Sequence, residues 1–183
     1  CYICTQALHR STKEGLVRGC ACGERDGVDA GGTGVVHVSC LLEQARILVA
    51  EGEENNLDDQ AMDERWSRWY TCSLCEQQYH GVVACALGWA CWKTYVGLPE
   101  TDESRQLALS QLGNGFYEVG HYEDALSVRK AMLSMQRRLG ASEVNFLAVQ
   151  SNIAQVYMKL GKLDETCVML RLVYFGCLKL YGT

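Results

Sequence analysis

Cysteine and histidine pairs punctuate the first part of the chain: CYIC at 1–4, CAC at 20–22, HVSC at 37–40 and CSLC at 72–75. The paired residues are Cys1/Cys4, Cys20/Cys22, His37/Cys40 and Cys72/Cys75. Thiolate and imidazole are preferred ligands of zinc, and a tight turn aims two such side chains at one point. Members of so short a spacing bridge each other poorly as disulfides. A disulfide framework has no use for the histidine, and a total of 11 cysteines cannot pair completely. One tetrahedral ion takes four ligands, so eight ligands make two sites. Sites with four protein ligands each are closed, and the expected cofactor is two structural zinc ions. The lack of a disulfide pattern predicts an intracellular, reducing compartment, the cytoplasm first.

These pairs need elements that hold them. Gly23 to Gly34, GERDGVDAGGTG, reads as a turn; no Lys-Ser/Thr follows it, which argues against a phosphate loop. Val35 to Val38 reads as a short strand. Leu41 to Val49 has helical spacing at Leu41, Leu42, Ala45, Leu48 and Val49. Glu51 to Glu64 is acidic without a basic residue and predicts a solvated loop or frayed helix. Trp66, Trp69 and Tyr70 precede the last pair and are expected to pack on the zinc core. A helix from Gly81 to Tyr95 follows. His80, Cys85 and Cys91 do not form a compact pair, and Cys85, Cys91, Cys167 and Cys177 read as buried thiols.

The order of the eight ligands, the C-x-C at Cys20/Cys22, the phrase VHVSCLL at 36–42 and YTCSLCEQQYHG at 70–81 resemble the RING-CH (RING-variant) zinc finger over residues 1–80. A PHD finger shares the ligand order, but the C-x-C and the long stretch from Gly23 to Val36 favour RING-CH. The resemblance implies a small α+β, cross-braced fold. Cys1, Cys4, His37 and Cys40 would share one ion and Cys20, Cys22, Cys72 and Cys75 the other. Such bracing supplies what a domain of this size cannot bury. The resemblance also implies a surface for a ubiquitin-conjugating enzyme, with Ile3 as its hydrophobic contact and Leu74, Trp66 or Trp69 completing the patch. The tryptophans equally fit a role in covering the core. Two positions depart from the family: Glu76 stands where many active ligases carry a basic residue, and Gln44 where membrane-associated members carry tryptophan.

The second half repeats. LGNGFYEVGHYEDAL at 112–126 aligns with IAQVYMKLGKLDETC at 153–167, a period of about 42 residues. Each unit reads as two helices. Their apolar stripes are Leu109, Leu112, Phe116 and Val119; Ala125, Val128, Met132, Met135 and Leu139; Phe146, Val149, Ile153, Tyr157 and Leu160; and Leu163, Cys167, Leu170, Val173, Cys177 and Leu180. Gly120, Gly140, Gly161 and Gly182 fit helix ends, Asp102 or Ser104 and Ser142 fit helix starts, and Gly113 and Ala154 fit close helix approach. This pattern resembles the kinesin-light-chain type of tetratricopeptide repeat over 105–183. The expected organisation is a zinc finger at 1–80, a connecting helix and hinge at 81–104, and two all-α helical hairpins at 105–183. The Gly81 to Tyr95 helix is a candidate cap for the repeats. The resemblance implies a groove for a protein or peptide, with Gln111 and Asn152 as polar lining.

Charge excludes one class. The net charge of −5 falls within the first 97 residues and the remainder is balanced, so neither half has the basic excess of a nucleic-acid-binding domain. No apolar run reaches the ~18 residues that span a bilayer. The start at Cys1 and an end within a repeat are those expected of a fragment of a longer protein, and membrane association of the full chain stays open. No Ser-His-Asp set, nucleotide loop or open zinc site is present. The leading expectation is a RING-type ubiquitin ligase with repeats that bind substrate. A non-enzymatic zinc-finger and repeat adaptor is the alternative, and a PHD-like histone reader the third.

Overall fold

The computed structural model describes residues 1–23 and 34–182. Most of the predicted turn between Gly23 and Gly34, and Thr183, lie outside the described residues. Seven α-helices carry the described fold: α1 Val38–Glu54, α2 Asp59–Trp66, α3 Gly81–Tyr95, α4 Glu103–Glu118, α5 Tyr122–Leu139, α6 Glu143–Lys159 and α7 Leu163–Tyr181. Two short 3-10 turns, Ala21–Gly23 and Ser67–Trp69, flank them.

The β component is smaller than expected. Among the described residues it consists of two isolated antiparallel bridges, Val17 with Val36 and Thr71 with Gln78. The strand expected at Val35 to Val38 shrinks to Val36, because α1 already begins at Val38. The helix starts early because the Glu14 carboxylate accepts a hydrogen bond from the Ser39 backbone N–H at 2.8 Å, satisfying a donor left free in the first turn. The acidic run is also more ordered than a loop. It ends α1, turns at Asn55 to Asp58, and begins α2, where the Asp58 side chain accepts from the Ala61 N–H. Gly52 in this run is buried, and a Cβ there would lie 2.6 Å from Met62 Sδ.

Two cores occupy the first half. One contains the cysteine loops with Val36, Leu41, Tyr79, Val83 and Leu87. The other holds Ala45 and Val49 of α1, Trp66, Trp69, Cys91, Tyr95 and Ala108. Tyr95 sits between the two tryptophans, with ring centroids 5.1 Å from Trp66 and 6.1 Å from Trp69. Helix α3 thus presents one side to the metal-ligand loops and another to α4.

The α3–α4 contact is close because glycines remove side chains from it. A Cβ on Gly88 would lie 2.6 Å from the Gln111 carbonyl oxygen, and one on Gly115 2.9 Å from Cys85 Cα. Gly113, expected from sequence to allow close approach, has ordinary contacts of 3.5 Å with Val128 and Arg129. The next helices continue as successive antiparallel neighbours. Their core joins Ala125, Leu126, Leu133, Val149, Ile153, Val156 and Tyr157. Asp102 caps α4 by accepting from Ser104 and Arg105 N–H, and Ser142 caps α6 by accepting from Asn145 N–H. Gly120, Gly140 and Gly161 follow α4, α5 and α6 with positive φ, the left-handed conformation that ends helices at low cost.

Helix α7 covers only part of the expected stripe, Val173 and Cys177. Leu163, Cys167, Leu170 and Leu180 are exposed, whereas Thr166 is buried and Met169 packs on the core. The helix is apolar almost all round, so periodicity does not single out one face. The contact with α6 does: a Cβ on Gly176 would lie 2.3 Å from Leu147 Cδ2, and Thr166, Met169, Val173 and Gly176 share that face.

Candidate metal centres

The chain places its eight candidate ligands in two groups. Cys1, Cys4, His37 and Cys40 form the first, Cys20, Cys22, Cys72 and Cys75 the second, and the donor atoms within each group lie within 4.8 Å of one another. The groups interleave along the chain: the first pair joins the third, and the second joins the fourth. Each pair is set by local backbone. His37 and Cys40 bracket the first turn of α1, where a spacing of three puts both side chains on one side. Cys72 and Cys75 sit in a tight loop closed by Cys72 N–H to Gln77 O and Tyr79 N–H to Tyr70 O, at 2.9 and 2.8 Å. The His80 N–H donates to Gly19 O, tying this loop to the segment leading into Cys20. Gly34 has φ +81°, and a Cβ on it would lie 2.3 Å from Cys22 Cβ, so this position admits no side chain beside the second group.

The distances fit zinc and not disulfides. Cys22 and Cys72 Sγ are 3.6 Å apart. Ligands at the edges of a tetrahedron around zinc stand about 3.8 Å apart for Zn–S bonds of about 2.3 Å, whereas a disulfide is about 2.05 Å. His37 Nδ1 lies 3.3 Å from Cys4 Sγ and 3.6 Å from Cys40 Sγ. Its other nitrogen, Nε2, is 3.3 Å from the Ala7 carbonyl oxygen, to which it donates when Nδ1 is the ligand. That second contact fixes ring orientation and tautomer, as metal-bound histidines require. All eleven cysteines are free thiols.

Charge supports the same reading. Burial pushes the Cys20 and Cys22 thiols up, and that of Cys40 to about 11. Burial also acts on Cys72, but hydrogen bonds from Leu74 and Cys75 N–H and from neighbouring thiols outweigh it and bring this thiol to about 7. Four thiols crowded away from water resist ionising together, and a divalent cation among them removes that resistance. The two groups are therefore consistent with two structural zinc ions. All four positions around each are filled by protein, so the metal's role is to hold loops and not to activate water.

The remaining candidate residues separate by exposure. Ile3 lines an apolar groove of about 340 Å³ beside the first group, together with Gln44, Ile47 and Leu48 of α1. Leu74 stands out from the Cys72–Cys75 loop at 54% exposure, and Glu76 follows it with φ 56°. Trp66 and Trp69 pack with Val49, Cys91 and Tyr95 in the second core and not on the cysteine loops as expected from sequence; Trp69 is 1% exposed, so they offer no open partner surface. The burial of Trp69 also withdraws one wall of the aromatic cage that a histone reader needs. Gln111 and Asn152 line a single cavity of about 270 Å³ between the metal-ligand region and the helical hairpins. Of the thiols expected to be buried, Cys91 is, Cys85 and Cys177 are partly covered, and Cys167 is exposed.

Sequence reasoning missed three contributors. Glu14 and the Ala7 carbonyl act across the fold and leave no local pattern. Arg129 left a signal: it falls four residues after Ala125 and four before Leu133, on a face that is otherwise buried.

Among the described residues, no helix is long and apolar enough to cross a membrane. No family model matches the chain, and no curated protein or solved structure matches it with significance.

Proposed function

We propose that this chain is a zinc-organised recruitment module of the RING-CH type joined to tetratricopeptide-like repeats, acting in ubiquitin transfer. The zinc end receives a ubiquitin-conjugating enzyme and the helical hairpins hold a protein substrate. The carrying observation is the apolar groove formed by Ile3 with Ile47 and Leu48 next to a closed four-ligand metal group. An apolar groove beside a braced loop suits a protein contact that must position a partner without chemistry of its own. Leu74 is a second exposed apolar side chain, in the loop of the other group.

The test is auto-ubiquitination by the zinc-loaded chain with a panel of conjugating enzymes. Ubiquitin conjugates that disappear in Ile3→Ala, with zinc content unchanged, are the expected result. Complete inactivity across the panel contradicts ligase function.

A second reading, a non-enzymatic adaptor, is favoured by Glu76. Its carboxylate accepts hydrogen bonds and cannot donate them as a basic residue after the last ligand would. An adaptor binds protein partners through both halves but shows no conjugating-enzyme affinity for Ile3→Ala to remove.

A further inference from the structure

Helix α3 belongs to two parts of the molecule at once. Val83 and Leu87 pack in the core of the cysteine loops, whereas Cys91 and Tyr95 pack in the core that reaches Ala108 of α4. The group of Cys20, Cys22, Cys72 and Cys75 is tied to the first turn of this helix by backbone. The loop carrying Cys72 and Cys75 leads into His80, the residue before α3, and the His80 N–H donates to the Gly19 carbonyl at 2.9 Å. Gly19 adjoins Cys20, and a Cβ on it would lie 2.5 Å from Val83 Cβ. Both segments that supply this group's ligands therefore bear on the start of α3.

The group of Cys1, Cys4, His37 and Cys40 is attached elsewhere. Its segments make no backbone hydrogen bond to residues 70–95 among the described residues. Cys40 borders the same core as Val83, but His37 and Cys40 stand at the start of α1. The rest of α1 is held through Ala45 and Val49 by Trp66, Trp69 and Tyr95, in a core that contains none of the eight ligands. Disorder at this group therefore meets a helix that is anchored independently of it.

On its other side α3 has no slack against α4. The approaches at Gly88 and Gly115 bring backbone against backbone, and the Trp89 ring stands 5.6 Å from that of Phe116. The connection between the two helices is pinned as well. Arg138 Nη2 of α5 donates to both carboxylate oxygens of Glu100, at 2.9 and 3.0 Å, and Gln106 Nε2 donates to the Glu100 backbone oxygen at 3.1 Å. Close-packed interiors yield little and pass a displacement on. A shift at the start of α3 thus reaches α4 and, through Glu100, α5.

We propose that the two metal groups have separate roles, and that the group of Cys20, Cys22, Cys72 and Cys75 is a control point for the helical hairpins. With its ligands clamped, the first turn of α3 is fixed and α4 and α5 are ordered against the helix. With its ligands released, α3 frays from that turn and the hairpin packed on it loosens. The Cys1, Cys4, His37 and Cys40 group instead organises the start of α1 and the groove lined by Ile3. The inference concerns order within the chain and does not depend on a role in ubiquitin transfer.

The experiment is hydrogen exchange, read by peptide mass spectrometry, on the reduced, zinc-loaded chain and on Cys75→Ser and His37→Ala, each checked by native mass spectrometry for the loss of one ion. Exchange in α4 that is faster by about tenfold or more in Cys75→Ser, and within about twofold of the parent chain in His37→Ala, is the expected result. Unchanged exchange in α4 of Cys75→Ser overturns the proposal, and so does an equal change in both variants. Stripping His37→Ala of its remaining ion makes the same comparison without relying on the folding of Cys75→Ser. Exchange in α4 that rises on stripping and falls back when zinc is restored supports the proposal; protection of α4 that survives stripping overturns it.

Discussion

His37 Nδ1 stands 3.3 Å from Cys4 Sγ, although the two residues are 33 positions apart. A long loop closed by one such contact gains little from it alone, since ordering the intervening chain costs entropy. A shared ion changes the balance: structural zinc contributes on the order of 10 kcal/mol of apparent binding energy.

His37→Ala therefore loses one zinc ion per chain, whereas His37→Cys keeps both. Metal analysis of the purified variants reads this directly. The alanine variant should also lose the near-ultraviolet signal of the packed aromatics around α1, because α1 begins at this ligand.

Gly88→Val tests how the metal-ligand region is joined to the hairpins. Its Cβ would press on the Gln111 carbonyl at 2.6 Å, and backbone on both sides resists movement. Overpacking of this kind costs about 2 kcal/mol. Denaturant unfolding should show that loss, while the same change at Gly97, where a Cβ meets nothing within 4 Å, should cost far less.

These two positions mark what sequence conveys. The ligand pairs were legible because zinc chemistry demands particular residue types at short, local spacings. Helix α3 was legible to the residue, and the caps at Asp102 and Ser142 were legible because capping is local chemistry. The packing glycines at Gly88 and Gly115 were not, because their meaning lies in a neighbour far along the chain. The buried face of α7 was hidden for a related reason: with Leu163, Val168, Leu170, Leu172, Tyr174 and Phe175 all exposed, apolarity alone does not select a side. The early start of α1 depended on Glu14, a contact that no window around Val38 contains.

Asp102→Ala should destabilise the chain by about 1 kcal/mol. Its carboxylate accepts from two N–H groups in the first turn of α4 and stands where the helix dipole favours negative charge. Asp102→Asn should recover most of the loss, and thermal unfolding of the three proteins separates the cap from the charge.

Alkaline pH should weaken the fold through Tyr95. Burial raises its phenol from the usual value near 10 to about 12. A raised folded-state value means the stabilising contribution is full below pH 10 and is lost as pH rises from there through about 12. Unfolding temperature should fall across that window, and Tyr95→Phe should fall less steeply.

The most direct measurement is native mass spectrometry of the reduced chain before and after chelation. The account predicts two zinc ions per chain, and chelation that removes both while abolishing the near-ultraviolet signal from Trp66 and Trp69. Restored zinc should return that signal. A reduced, folded chain carrying no zinc, or one whose aromatic packing is indifferent to chelation, contradicts it.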